Sequence, residues 1–509
     1  MNRQTKLIIL VFCILKLTLH LVTDSHSGFQ GDELLHIATG KHLAFGYMEF
    51  PPLIAIFAFI QNLFLSHSIY IHHVFSHLAS IIILIYVAKT TIELGGKNKA
   101  VFLVLLGLII APGFGRSQQL FQPVVFSQLF WVLSFYSLVR FVKYLDKKSL
   151  WLLTVFCILG FLSKYDAVIF ITGLTVLFLF KRTRDALVQN KFWWNILVAL
   201  IFIMPNLIWQ ISNDYPVLQM ISRLYETQLD KINRISNLKQ LLIEINPIVS
   251  LLLFIPGLFY ILTDKNKTLN IPIALTIFIS ISLLVYINGK AYYFYPLVLT
   301  IIPFGALFLE KVIQRKKWTF YPVIFFMASG GILIPFGMPV LSLNSYIKYI
   351  YPSEKIEVKG GKYGIRFAEY YSEKKWEKTL ADLKVVYDSL PQNEKTNTVI
   401  WGKHYSEAGI IKLMGNKYNL PDAFSLHGSF YIWAPNKGEM FETLIAYRKS
   451  RSEGKSFFEP YFETVTPVKT IYNPYAKEED ELYQTIFICK KPRQNFKELK
   501  ILFRDRIFE

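Results

Sequence analysis

The stretch GFQGDELLHIATGKHLAFGYMEFPPL, residues 28–53, is a polar, aromatic loop between two hydrophobic segments of the chain. It opens with the adjacent carboxylates Asp32 and Glu33 and ends in a turn that contains Glu49 and two prolines. Ionisable groups on a loop directly after a membrane helix are typical of a functional site rather than of a spacer. We therefore expect this loop to carry the chemistry of the protein.

The composition of the chain is that of a membrane protein. Of its 509 residues, 53% are hydrophobic and 16% aromatic, and the mean hydropathy is +0.36. Soluble domains are about 45–50% apolar. Apolar runs long enough to cross about 30 Å of hydrocarbon recur as far as about residue 338 and then stop. The sequence thus predicts an α-helical polytopic membrane domain over residues 1–338 and a soluble extracytoplasmic domain over 339–509.

The distribution of positive charges predicts the topology. Lys and Arg gather in alternate loops, which the positive-inside rule assigns to the cytoplasm. The first loop (24–66), the segment 211–246 and the C-terminal domain then face outward. The apolar stretch 51–65 is shorter than a full membrane span and is predicted to lie in the membrane interface. About eleven spans are predicted, near residues 5–22, 67–88, 98–113, 121–142, 149–163, 165–180, 192–210, 247–263, 270–287, 291–310 and 318–336, with positive loops around residues 3–6, 89–99, 140–148, 181–191, 265–267 and 311–317.

The net charge of +19 does not indicate nucleic-acid binding, because the basic residues are spread over loops and tail rather than gathered on one binding module. The three cysteines, Cys13, Cys157 and Cys489, do not form the pattern of a disulfide framework. In the C-terminal domain, a small α/β fold is predicted, with KTNTVIWGKHY and SFYIWAP as strands and SEAGIIKLMGNKYN as a helix.

Five blocks of the chain, in order, resemble glycosyltransferase family 39, the bacterial membrane transferases related to protein O-mannosyltransferases and aminoarabinose transferases. The resemblance implies the GT-C fold, with a catalytic first extracytoplasmic loop and a soluble C-terminal part. It also implies a donor sugar linked to polyprenyl phosphate. The blocks are DELLHIATGKHLAFGYMEFPPL, GFLSKYDAVIF (160–170), MPNLIWQISNDYPVL (204–218), GKAYYFYPL (289–297) and KHYSEAGIIKLMGNKYNLPDAFSLHGSFYIWAP (403–435).

Sugar transfer from a lipid phosphate needs a base for the acceptor proton, and the loop carboxylates are the candidates. Asp32 matches the family's first-loop acid and is predicted as the base. The alternative is that Asp32 is a helix N-cap, and one residue can have both roles. Glu33 is predicted either to bind the acceptor or a cation, or to complement the helix dipole. Glu49 stands where many relatives carry Asp and is predicted as a supporting acid.

The leaving phosphate needs cations, and the sugar needs aromatic and polar surface. Lys290 beside Tyr292 and Tyr293 is the first candidate, followed by Lys164 and then Arg116. The alternative is that these basic side chains snorkel at helix ends, although cations in outward loops run against the positive-inside bias.

One stretch departs from the family pattern. Relatives usually carry an Asp near the outer start of the fourth span, but RSQQLFQPVVFSQLFW (116–131) offers amides, Gln122 among them. Either these amides hydrogen-bond the sugar, Glu49 takes over part of the role, or activity is altered or lost.

The sequence does not establish a cofactor. His73 and His77 have the i, i+4 spacing of two metal ligands on one helix face, but no carboxylate accompanies them at metal-motif spacing. Polar positions at the start of a membrane helix are the favoured interpretation. A divalent cation near Glu33 and Glu49 stays open.

The leading hypothesis is an inverting glycosyltransferase at the outer face of a bacterial cytoplasmic membrane. Its partners would be the bilayer, a polyprenyl-phosphate sugar and a protein, lipid A-type glycolipid or glycan acceptor. A transporter or flippase for lipid-linked sugars is the first alternative; it would predict broken helices, polar residues at mid-membrane and paired repeats. A non-catalytic partner protein is the second, and the missing carboxylate near Gln122 keeps it open.

Overall fold

The computed structural model describes residues 1–263, 267–352, 363–436, 438, 442–478 and 481–508. Lys265, in one of the predicted cytoplasmic loops, lies outside the described residues. The chain divides into two compact units. The first unit comprises Met1–Thr23, Phe45–Ile54 and His73–Val340, and the second comprises Asp24–Ala44, Ala55–His72 and Leu341–Glu509.

The first unit is helical and confirms a multi-pass membrane protein. Among the described residues, seven helices are long and apolar enough to cross a membrane, by length and composition. Two pairs of helices, bent by 69° and 100° at a short break, raise this number to nine if each pair is one span. The seven are Arg3–Asp24, Ile69–Glu93, Pro123–Tyr144, Trp193–Ser212, Leu269–Tyr286, Ala291–Arg315 and Lys317–Phe336, and the bent pairs are Asn98–Ile110 with Pro112–Gln119 and Arg234–Glu244 with Pro247–Thr263.

Shorter helices complete the first unit. The spans predicted near 149–163 and 165–180 correspond to two of them, Lys147–Ser163 and Ala167–Phe178. The stretch predicted to lie in the interface forms Leu53–Asn62, which begins in the first unit and continues from Ala55 in the second. Its ten residues extend about 15 Å, half the thickness of the hydrocarbon. The other helices here are Lys181–Gln189 and Pro216–Leu224, with a π-helical turn at Tyr225–Leu229.

Helix Trp193–Ser212 shows why these segments suit a bilayer. Its buried residues are Asn195, Asn206 and Gln210, all polar. Large apolar side chains such as Ile201 and Phe202 are exposed, at 59% and 60%. Because lipid favours apolar side chains on the outside and polar groups find partners inside the bundle, this reversed pattern identifies a helix that faces lipid.

The second unit contains a mixed five-stranded sheet within the part of the chain that the structure describes. Its strands are β1 (Val399–Gly402), β2 (Ala423–Phe424), β3 (Thr443–Arg448), β4 (Phe462–Tyr472) and β5 (Tyr483–Pro492), in the order β2-β1-β3-β5-β4. β1 is parallel to β2 and β3, whereas β5 is antiparallel to β3 and β4. The small α/β fold predicted here is confirmed. The helices are Gly31–Thr39, Leu343–Ile350, Ser372–Asp388, Gln392–Lys395, Tyr405–Met414, Phe430–Trp433 and Phe496–Leu502.

One predicted element of this unit is wrong. SFYIWAP was expected to be a strand, but residues Phe430–Trp433 form a single helical turn. An apolar run of four residues is too short to show a period of 2 or of 3.6, so the pattern could not separate the two. The predicted strand at β1 and the predicted helix Tyr405–Met414 are both present.

Candidate active site

The first-loop acids lie at the start of helix Gly31–Thr39, in the second unit. Gln30 is the N-cap, since its side-chain oxygen accepts the Asp32 N–H at 2.7 Å. Glu33 closes the capping box, with its carboxylate accepting the Gln30 N–H at 2.8 Å, and it is fully buried. The alternative that Asp32 is the N-cap is therefore wrong, and Glu33 belongs to the framework that fixes the helix start.

Asp32 points to a partner far along the chain. Its Oδ1 accepts a hydrogen bond of 2.7 Å from the Tyr405 hydroxyl, and both side chains are partly exposed. Tyr405 begins helix Tyr405–Met414, which has a capping box of its own, formed by His404 and Glu407. The Asp32 carboxylate is thus held in place yet open to a ligand.

The predicted phosphate-binding cations lie in the first unit, and the structure brings one of them to the predicted tyrosines. The Lys164 Nζ lies 4.5 Å from the ring centroid of Tyr293 and 6.0 Å from that of Tyr292. It also forms an ion pair with Asp166, whose other oxygen accepts a hydrogen bond of 2.9 Å from Ser127. The blocks GFLSKYDAVIF and GKAYYFYPL therefore meet around Lys164.

The turn that carries Glu49 is held against helix Trp193–Ser212 in the same unit. Asn206 donates to the Phe45 carbonyl at 2.8 Å, and Gln210 donates to the Tyr47 carbonyl at 3.1 Å. A Cβ on Gly46 would come within 2.5 Å of the Trp209 ring, so only glycine allows this approach. Glu49 itself is half-buried.

The other predicted site residues of the first unit, Lys290, Arg116 and Gln122, lie in or directly before three different elements. Lys290 pairs with the side chain of Gln228 and precedes a short helical turn, Ala291–Phe294. Arg116, half-buried, lies in helix Pro112–Gln119. Gln122 is the N-cap residue of helix Pro123–Tyr144.

Sequence reasoning missed two residues that the structure places beside the candidates. Asp166 supplies a carboxylate to the start of helix Pro123–Tyr144 through Ser127, in the stretch where the amides had suggested that an acid was missing. Tyr405 was passed over because its partner, Asp32, lies 373 positions away. The only signal for Asp166 was its place in GFLSKYDAVIF, two residues after Lys164.

His73 and His77 lie inside the first unit, both buried. The His77 ring stacks on that of His20 at 4.9 Å, and the Gln119 amide lies 3.4 Å from His73 Nδ1. Gln119 also hydrogen-bonds His20. These contacts join the first helix, helix Ile69–Glu93 and helix Pro112–Gln119.

Acid is expected to loosen the second unit through His36. Burial lowers the pKa of His36 to about 4, although Asp32 and Glu33 oppose the shift. The unfolded chain, with a His pKa near 6.5, then binds more protons than the folded one between about pH 6.5 and pH 4, so stability falls as the pH falls through that window. For one histidine the loss is about 3 kcal/mol.

Hydrogen exchange of the amides in helix Gly31–Thr39, corrected for intrinsic rates, measures this loss between pH 7 and pH 4. The variant His36→Gln carries no titrating ring, and its loss is expected to be smaller by that amount. An identical pH dependence in the variant and the wild type would contradict the assignment.

Residues 50–209 match the family described as dolichyl-phosphate-mannose-protein mannosyltransferase. The structure is similar to that of ArnT from Cupriavidus metallidurans, at 10% identity and a TM-score of 0.60 over 94% of this chain and 97% of that one. The same protein bound to undecaprenyl phosphate matches at 9% identity and a TM-score of 0.58, over the same shares. No curated protein sequence matches the chain.

The fold that these helices and this sheet form is the GT-C fold, as the sequence predicted. The family match and the fold together indicate a glycosyltransferase. The family match over residues 50–209 supports the resemblance to the protein mannosyltransferases, and the fold is shared with ArnT.

Proposed function

We propose that the protein transfers a sugar from a polyprenyl-phosphate donor to an acceptor hydroxyl or amine, at the outer face of a bacterial cytoplasmic membrane. Asp32 is the base and Lys164 receives the lipid phosphate. The observation that carries the assignment is the Asp32 carboxylate, fixed by Tyr405 yet partly exposed. The similar fold of ArnT bound to undecaprenyl phosphate supports a lipid-linked donor.

The transfer forms one bond at the anomeric carbon and breaks another. The acceptor oxygen or nitrogen attacks the anomeric carbon, and its proton passes to the Asp32 carboxylate. The bond between the anomeric carbon and the phosphate oxygen breaks, and the phosphate leaves with the bonding electrons and one more negative charge. Attack from the face opposite the phosphate inverts the anomeric configuration.

The surroundings of Lys164 suit a leaving phosphate. Its side chain is 22% exposed and that of Asp166 is 14% exposed. The pair is thus largely shielded from solvent, and charges interact more strongly there than in water. A lipid phosphate that binds here meets an ammonium group already oriented by Asp166 and by the face of Tyr293. Tyr292 and Tyr293 offer aromatic surface to the sugar.

Transfer by the purified wild type tests the function directly. Donors are a panel of polyprenyl phosphates that carry different labelled sugars, and acceptors are a peptide with serine and threonine, a lipid A-type glycolipid and a short glycan. We expect transfer from at least one donor to at least one acceptor. If the protein binds a lipid-linked sugar and transfers none in any pair, the transporter or non-catalytic partner function replaces this one.

Replacing Lys164 by Met is expected to lower kcat/KM for the donor by about 10- to 100-fold, because one charge-assisted contact to the phosphate is lost. The single variant also leaves Asp166 without its cation. The double variant Lys164→Met with Asp166→Asn removes both charges and is expected to show the same loss.

The matched control is Lys89→Met, since the Lys89 Nζ also lies over a tyrosine ring, that of Tyr86, at 4.3 Å. It is expected to leave transfer unchanged. Recovery of activity in the double variant would mean that Lys164 only neutralises Asp166, and would remove it from the phosphate site.

A further inference from the structure

The region around Asp32 contains polar groups that the transfer chemistry above does not use. They lie on two loops that follow β1 and β2: Lys403 and His404 follow β1, and Ser425 and His427 follow β2. β1 and β2 are parallel neighbours, so both loops leave the same edge of the sheet. In α/β sheets ligands bind at the carboxyl ends of parallel strands, where the loops converge.

The helix that carries Asp32 docks at this edge. A Cβ on Gly31 would lie 3.1 Å from the Cβ of Ser406, and a Cβ on Gly409 would lie 2.9 Å from that of Leu34. Both segments advance by three residues between the two contacts, from 31 to 34 and from 406 to 409. The helices Gly31–Thr39 and Tyr405–Met414 therefore run side by side in the same direction. Their first turns, with Asp32 and Tyr405, therefore stand together.

The His427 ring packs beside Tyr405 and His404. Its centroid lies 5.1 Å from that of Tyr405 and 4.3 Å from that of His404. The His404 Nδ1 is used in capping, at 2.9 Å from the Ser406 hydroxyl. The His427 Nδ1, in contrast, is buried and has no hydrogen-bond partner among the residues that the structure describes.

The backbone holds His427 firmly. The His427 N–H donates to the Ser425 hydroxyl at 3.2 Å, and that hydroxyl donates to the Lys403 carbonyl at 3.0 Å. The next residue, Gly428, has a φ of +57° and donates to the Ile507 carbonyl at 2.9 Å. Burial, with a contribution from Lys403, lowers the pKa of His427 to about 4 against the opposing effect of Asp32. The ring is thus neutral at pH 7 and can both donate and accept a hydrogen bond.

We propose that the C-terminal region forms the acceptor side of the Asp32 site, with Tyr405 as the residue that positions the Asp32 carboxylate and His427 as a residue that binds the acceptor. The ligand class is the polar group that carries the attacking hydroxyl or amine. This inference rests on the proposed transferase function. It assigns the choice of acceptor to the loops after β1 and β2 and leaves the donor to the first unit.

The test is steady-state kinetics with the donor and acceptor that react fastest in the panel above. Tyr405→Phe keeps the ring and removes the hydroxyl, and is expected to lower kcat about 10-fold with the donor KM unchanged, because Asp32 loses one orienting hydrogen bond. His427→Ala is expected to raise the acceptor KM about 10-fold, with kcat within about threefold of the wild type. His427→Gln keeps a neutral hydrogen-bonding group and is expected to recover part of that loss.

Tyr431→Phe is the matched control, since the Tyr431 hydroxyl also donates one hydrogen bond in this unit, to the Lys500 carbonyl at 2.9 Å. It is expected to behave as the wild type. Wild-type transfer that both site variants leave unchanged, or a rise of the donor KM in place of the acceptor KM, overturns this inference alone. Absence of transfer by the wild type overturns the proposed function, and this inference with it.

Discussion

Replacing Asp32 by Asn is expected to lower the turnover of sugar transfer by about 10²- to 10⁴-fold, the range that a general base contributes. The amide has the shape of the carboxylate but cannot take the acceptor proton. Its oxygen can still accept the hydrogen bond that Tyr405 donates at 2.7 Å in the native protein, so the helix start is expected to keep its structure. The donor KM is expected to stay within about threefold, because the lost group acts only on the proton in transfer.

Asp388→Asn is the matched control for this variant. Asp388 is an exposed acid of the same unit and pairs with Lys384 at 2.7 Å across one helical turn. Its replacement is expected to leave transfer unchanged. Asp32→Glu, which keeps a base with a longer reach, is expected to retain more activity than Asp32→Asn. Transfer by Asp32→Asn within threefold of the wild type would exclude Asp32 as the base and turn attention to Glu49 and Asp166.

The membrane part of the fold could be predicted because its signal is local. A run of about 20 apolar residues is needed to cross a bilayer, so a window along the sequence finds each such helix without knowledge of its neighbours. All eleven predicted segments contain helices. Whether Lys147–Ser163 and Ala167–Phe178 cross the bilayer depends on how the helices of the bundle pack. A window of neighbouring residues carries no information about that packing.

The candidate site could be predicted only where one residue's neighbours along the chain reveal its role. Asp32 and Lys164 could be named as candidates because each follows or precedes a hydrophobic segment within a recognisable block. Asp166 brings a carboxylate to the stretch around Gln122 through the hydrogen bond that the Ser127 hydroxyl donates. The carboxylate reaches Ser127 from another helix, 39 positions further along, and no pattern within 116–131 could show it.

The division of the first loop was also beyond sequence reasoning. Phe45–Ile54 belongs to the first unit, while the flanking segments Asp24–Ala44 and Ala55–His72 belong to the second. The reason is tertiary: Asn206 and Gln210 bind the carbonyls of the turn, whereas Gly31 and Leu34 pack on helix Tyr405–Met414. Polarity and helical period are similar on both sides of these boundaries, so the sequence offers no sign of them.

The stability of the second unit is expected to depend strongly on one carboxylate, that of Glu481, which binds two lysines. Glu481 forms ion pairs with both Lys375 and Lys449. The Lys375 side chain is 4% exposed, and burial lowers its pKa to about 8 against the effect of Glu481. Despite its own burial, the two lysines lower the pKa of Glu481 to about 2. The carboxylate is thus charged at all pH values near neutrality and is needed by both cations.

Glu481→Gln is expected to destabilise this unit by about 3–5 kcal/mol, because removing one partner of a buried ion pair leaves uncompensated charge. Hydrogen exchange of the β3 and β5 amides in the full-length protein measures the opening free energy of the sheet. The control is Glu459→Gln, whose pair with Lys455 is about half exposed and is expected to matter by less than about 0.5 kcal/mol.

A second variant separates the charge from the shape of the side chain. Lys375→Met with Glu481→Gln removes the buried cation together with its partner and is expected to recover most of the loss, since an apolar side chain of similar length carries no desolvation cost. Protonation of Glu481 in acid is also expected to remove its charge and destabilise the unit. The Glu481 pKa is depressed, so its contribution is present above about pH 4.5 and is lost as the pH falls toward 2, below the window in which His36 acts. A double variant as unstable as Glu481→Gln would show that the carboxylate stabilises the sheet through contacts other than this ion pair.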